Sequence, residues 1–226
     1  MPLPPARSAA PRIASVHRLP SADAHTRPLG QADDAALACA AVEGHPAAPG
    51  VVWDRFSSLV RGLLRRSLGP ANDVEDQVQE VFLRFFLQVG MLRDPSALRS
   101  FLVGISIRVA GTELRRRRVR RWLHLTDSGT VPDELPVPND EDAREALSRL
   151  YAILDRVDDE SRLAFVLRHV EGLELTDVAS ALQISLATTK RRLNKVTARV
   201  FAMVERDPIL KEYLAVGAPE EQEALL

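Results

Sequence analysis

Residues Leu175 to Val200 read LTDVASALQISLATTKRRLNKVTARV, two short amphipathic stretches parted by a few turn residues. In the first, Val178, Ala179 and Leu182 share one side of a helix. In the second, Thr189, Leu193, Val196 and Val200 recur at spacings of four, three and four, the period of a buried helical stripe. Ser185 stands where an N-cap is needed, because its hydroxyl can accept from an otherwise unpaired amide of the first turn. Two short helices joined this tightly form a helix-turn-helix. The second helix turns Ala187, Thr188, Lys190, Arg191, Asn194 and Lys195 outward, and no acid occurs between Asp177 and Glu205. A basic face of small residues suits the major groove of DNA. Lys190, Arg191, Arg192 and Lys195 are placed for phosphates, and Thr188 and Arg191 for bases. From these residues alone, a helical hairpin with a solvated basic face stays open as an alternative.

Helical periodicity extends upstream, from Glu141 to about Val157 and from Glu160 to Val170. It fails between Asp127 and Asp140, where Gly129, Pro132, Pro136, Pro138 and four acids leave too little apolar surface to fold alone. Before that gap comes a third helical signal. Asp94-Pro95 reads as an acidic N-cap followed by proline in the first turn, and Leu98, Phe101, Leu102, Ile105 and Val109 form the inward face of a helix that ends in the run Arg115 to Arg121. Another helix starts near Asn72 or Asp73, with Glu75 and Asp76 at the positive end of its dipole and a stripe of Val78, Val81, Phe82, Phe85 and Val89. A helix from Val51 to Leu68 buries Val52, Phe56, Leu59 and Leu63 and stops at Gly69-Pro70, and an alanine-rich one precedes it from Asp33 to Glu43.

No alternating pattern of useful length suggests a strand. The expected fold is all-α, with a disordered leader (1–32), a first domain (33–122), a flexible acidic linker (123–140), a second domain (141–206) and a C-terminal tail (207–226).

The formal net charge of -1 hides a segregation: Arg115 to Arg121 is nearly all arginine, and the charged residues from Asp127 to Glu145 are nearly all acidic. Six arginines in seven positions exceed what capping a helix C-terminus needs, and a polyanion best relieves their repulsion. Cys39 is the only cysteine, which excludes an internal disulfide and a cysteine-based zinc site. His17, His25, His45, His124 and His169 lack metal-ligand spacing. No phosphate-cradling loop or nucleophile elbow is present, so neither a cofactor, a metal nor a catalytic residue is expected. No apolar run approaches the ~20 residues that cross a bilayer, and a cytoplasmic location is expected.

With these residues in view, the chain resembles the sigma-70 family of bacterial RNA polymerase subunits, especially its extracytoplasmic-function group. Glu171-Gly172, Val178-Ala179, Leu182, Ile184-Ser185, Thr188-Thr189-Lys190 and Leu193 match the family's region four. Glu75-Asp76, Gln79-Glu80, Phe82 and Arg84 match its region two. The resemblance implies that Asp76, Gln79, Glu80, Phe82 and Phe86 (or Phe85) dock on clamp helices of the polymerase's largest subunit. It further implies that the loop Arg93, Asp94 and Ser96 receives a flipped minus-ten base. Arg99, Arg108, Arg115, Arg116, Arg117 and Arg118 then hold the single strand, while Ala187, Thr188, Lys190, Arg191, Arg192, Asn194 and Lys195 read the minus-35 element. The flap of the second-largest subunit, promoter DNA and an anti-sigma factor are the other partners so implied. The sequence departs from the family pattern at Gln183 (usually a turn glycine), Glu174 (a serine cap), Asp158 (proline), Thr112 (aspartate) and Arg108 (asparagine). Two rival readings fit the composition: a helix-turn-helix regulator that binds duplex DNA unaided, and a helical adaptor without DNA contact.

Overall fold

The computed structural model describes residues 29–69, 74–122 and 141–216, and every regular element among them is helical. α1 (Asp34–Val42) begins at Asp33, whose carboxylate accepts from the Ala36 amide at 2.7 Å. α2 (Ala48–Leu68) takes Pro49 into its first turn, where proline's missing N–H costs nothing. It buries Val60 and Leu64 beside the expected Val52, Phe56 and Leu63, while Leu59 is half-buried. α3 (Glu75–Gln88) carries the expected stripe, Val78, Val81, Phe82 and Phe85, with Val89 just beyond it, all buried. The proposed caps Asn72 and Asp73 lie outside the described residues. A fully buried Phe85 contributes roughly 2–3 kcal/mol through the area it removes from water.

Asp94 caps a short 3-10 turn, Pro95–Ala97, which runs directly into α4 (Leu98–Trp122). Leu98, Leu102, Ile105 and Val109 face inward as the spacing predicts, with Phe101 half-buried. A second stripe, Ile107, Ala110, Gly111 and Leu114, is buried as well. The reason is tertiary: α4 packs on α2 and α3 and also on α6 and α7.

α5 (Glu141–Leu154), α6 (Asp159–Phe165), a π turn (Val166–Val170), α7 (Leu175–Leu182) and α8 (Leu186–Val204) form the second group. Asp158 replaces the family's proline as a working cap, its carboxylate accepting from the Ser161 amide at 2.9 Å. Part of the expected tail is helical: α9 (Pro208–Val216) starts at Asp207, whose carboxylate accepts from the Leu210 amide at 3.2 Å, and it buries Leu210 against α5. The apolar core is continuous through both groups of helices.

Candidate polymerase and nucleic-acid interfaces

α7 ends on Gln183, whose φ of 56° and ψ of 39° place a non-glycine residue in the left-handed region. Its amide and that of Ile184 close the helix on Ser180 and Ala179 carbonyls at 3.1 Å each, which satisfies acceptors that a helix end leaves open. Two residues on, Ser185 Oγ accepts from the Thr188 amide at 3.2 Å and starts α8. Thr189, Leu193, Val196 and Val200 are buried, which turns Ala187, Lys190, Arg191, Asn194 and Lys195 to solvent together. Thr188 is half-exposed, and its hydroxyl is shared with Ser185 at 2.9 Å. Arg192 departs from the expected face. It pairs with Glu160 of α6 at 2.6 Å and is only 24% exposed.

On α3, Asp76 and Gln79 are exposed, and Glu80 is half-buried in an ion pair with Arg84 at 2.6 Å. Phe82 is core: it is 4% exposed and its ring lies 4.8 Å from that of Trp53. Phe86 is half-buried, edge-on to Phe85 at 4.9 Å. The apolar part of the exposed face comes instead from Leu83 (57% exposed), Leu87 (75%) and, beyond the helix, Met91 (70%). The sequence does signal them. Leu83 and Leu87 lie seven residues after Asp76 and Glu80, off the buried stripe, where an apolar residue has no core to enter.

In the loop before α4, Asp94 accepts from the Ser96 amide at 3.0 Å and from its hydroxyl at 2.7 Å; these bonds hold its carboxyl below the usual carboxylate range. Both side chains are thus engaged with each other, while Arg93 and Arg99 are exposed. Arg108 is half-buried, and its burial together with nearby Arg84 lowers its pKa. Arg99, Ser100 and Arg108 line one wall of a groove of about 660 Å³ whose other wall is Leu173, Asp177 and Gln183.

The arginine run is not one uniform polycation. Arg115 and Arg116 are exposed, but buried Glu113 gathers Arg116 at 4.0 Å, Arg117 at 3.0 Å and Arg120 at 2.8 Å. Arg117 also donates to the Leu68 carbonyl at 3.1 Å and is 16% exposed. Arg118 donates to the Val157 carbonyl at 2.8 Å and pairs with Asp159 at 2.7 Å. Glu113 could have been found from its spacing of three, four and seven to those arginines, which is the geometry of one helical face. Thr112, the family's aspartate position, bonds its own helix at the Arg108 carbonyl, 2.9 Å away.

Among the described residues no group of His, Cys, Asp or Glu side chains has metal-ligand geometry, and no helix is long and apolar enough to cross a membrane.

The family description Sigma-70 region 2 matches residues 52–120, the span from α2 to the arginine run. The ferric citrate uptake sigma factor FecI of Escherichia coli (strain K12) is 31% identical over 140 residues, covering 60% of this chain and 79% of FecI. The RNA polymerase sigma factor CnrH of Cupriavidus metallidurans is 27% identical over 182 residues, 77% of this chain and 95% of CnrH. The ECF RNA polymerase sigma factor SigX of Bacillus subtilis (strain 168) is 28% identical over 170 residues, 70% and 85% of the two chains. A solved structure of CnrH in complex with the cytosolic domain of CnrY has the same fold, with a TM-score of 0.55 at 23% identity over 77% of this chain and 98% of that one. A helix-turn-helix with a basic outer face, a polar and apolar stripe on α3 and these relatives agree: the chain belongs to the sigma-70 family of RNA polymerase sigma factors, in its extracytoplasmic-function group.

Proposed function

We propose that the chain confers promoter specificity on RNA polymerase by working as two units, 33–122 and 141–206, with different partners. The observation that carries this reading is the separation of two chemically distinct exposed faces on one chain. α3 offers Asp76 and Gln79 beside Leu83 and Leu87, a mixed stripe suited to a partner helix. α8 offers Ala187, Lys190, Arg191, Asn194 and Lys195, a cationic face without acids suited to the major groove of a minus-35 element.

Arg93, Arg99, Arg115 and Arg116 supply the exposed positive charge for a separated minus-ten strand. Arg108 joins them from the groove wall. The chain's own part is binding and strand capture, and bond making belongs to the polymerase. A protein that sequesters these faces is a further expected partner, a reading supported by the CnrH structure, which contains the cytosolic domain of CnrY.

Gel filtration with purified core polymerase tests the reading. The wild-type chain is expected to co-elute and to direct run-off transcription from a subset of genomic promoters. Asp76→Ala with Gln79→Ala is expected to abolish both. A chain that neither co-elutes nor initiates on any template would overturn the proposal in favour of a free-standing DNA-binding regulator.

A further inference from the structure

α8 contains no acid of its own, so a carboxylate that meets its cations has to come from another element. Glu160, in the first turn of α6, supplies one: its Oε2 lies 2.6 Å from Arg192 Nη1. Place on the helix does not remove Arg192 from DNA. It follows Thr188 by four residues and precedes Lys195 by three, so the three side chains share one row along α8. Lys195 is exposed, whereas Arg192 is only 24% exposed. Its partner, and not its position, withdraws it from that row.

The pair is held by charge more than by hydrogen bonding. Arg192 Nη1 is buried and makes no aligned hydrogen bond, close as the carboxylate is. A buried donor left unmatched is costly. Glu160 itself is 58% exposed, so water screens much of the attraction. α6 does not depend on the contact either. Asp158 caps the helix, and Asp159 in the same turn already complements its dipole. As a structural tie the pair is weak, yet it cancels one cation in a face whose hold on DNA depends on how many cations it has.

Affinity for the DNA backbone grows with the number of phosphates that a protein neutralises, whatever the sequence. Handing Arg192 to a phosphate would leave the Glu160 carboxylate beside the same backbone, where like charges repel. The exchange therefore brings no net attraction while Glu160 is ionised. We propose that Glu160 is an electrostatic brake on α8: it keeps Arg192 out of phosphate contacts, which limits sequence-blind retention of the chain on DNA and leaves the base-reading positions Thr188 and Arg191 untouched. The inference rests on the functional reading above, in which α8 is the duplex-binding face.

Fluorescence anisotropy of the full chain on a labelled duplex of arbitrary sequence, titrated with salt, tests the brake. Glu160→Gln keeps the size of the side chain and removes its charge. It is expected to tighten binding about three-fold or more and to steepen the slope of log affinity against log salt by about 1. Glu160→Gln combined with Arg192→Ala is expected to return both readouts to wild-type values. Glu212→Gln, on the exposed side of α9, removes the same charge away from Arg192 and is expected to leave the slope near the wild-type value. Three results would each overturn the brake: a Glu160→Gln slope equal to wild type, a double variant whose slope falls below wild type, and a Glu212→Gln slope that rises as much as that of Glu160→Gln. A wild-type chain without salt-dependent duplex affinity would instead sink the assignment of α8 to duplex DNA, and the brake with it.

Discussion

The Phe82 ring lies 4.8 Å from that of Trp53 at an interplanar angle of 50°, which fixes α3 on α2 and commits Phe82 to the core. Phe82→Ala is therefore expected to cost about 3–5 kcal/mol of folding stability, read as a lower denaturant midpoint. Leu87→Ala, at a position 75% exposed, is expected to cost under about 0.5 kcal/mol yet to weaken core-polymerase binding by about ten-fold or more. If Leu87→Ala binds polymerase as wild type does, the exposed face of α3 has been assigned the wrong role.

Gln183 pays for its left-handed backbone where glycine would not. Gln183→Gly relieves ~1 kcal/mol of strain but also frees the unfolded chain, so a net gain of about 0.5 kcal/mol and a Tm higher by about 1–2 °C are expected. Calorimetry decides it, and a lower Tm would show that the Gln183 side chain stabilises the turn in a way its backbone does not reveal.

Lys190 and Arg191 are both exposed at the start of α8. Lys190→Ala is expected to weaken binding to all duplex sequences alike and to reduce the slope of log affinity against log salt by about 1. Arg191→Ala is expected to reduce the slope similarly and also to relax sequence preference by about 1–3 kcal/mol at one base pair. A salt titration by fluorescence anisotropy on matched and mismatched duplexes separates the two. Unchanged slopes would remove α8 from the interface.

The Arg61 guanidinium, bonded to Glu75 at 2.6 and 2.9 Å, holds that carboxyl below the usual carboxylate range. Because the folded pKa lies below the unfolded one, the unfolded chain takes up the proton first as pH falls. The stabilisation is complete above the unfolded value of about 4.3 and is lost as pH drops through the folded value. Glu75→Gln is thus expected to be less stable than wild type at pH 7, and the gap is expected to close as pH falls from the unfolded value through the lower folded one. A stability gap independent of pH would mean that the ion pair is not its source.

The second buried stripe of α4 shows where sequence periodicity stops. Leu98, Leu102, Ile105 and Val109 are recognisable because one apolar face at helical spacing always needs a core. Ile107, Ala110, Gly111 and Leu114 also recur at helical spacing, but two of the four are too small to announce a buried face, and they are buried because α4 packs on α6 and α7 as well. α9 was within reach of the sequence: Asp207-Pro208 repeats the cap and first-turn proline of Asp94-Pro95.

The same division holds for the site. Local chemistry written along one helix, such as the Ser185 cap, the stripe at Thr189, Leu193, Val196 and Val200, and the cationic surface opposite it, depends only on residues three or four apart, so the sequence alone determined it. Which cations remain available depended on partners far along the chain. Arg192 turns to Glu160, Arg117 to the Leu68 carbonyl, and Arg118 to Asp159 and the Val157 carbonyl. A long, flexible arginine takes whichever acceptor the packed helices bring near, and only the tertiary structure decides which one that is.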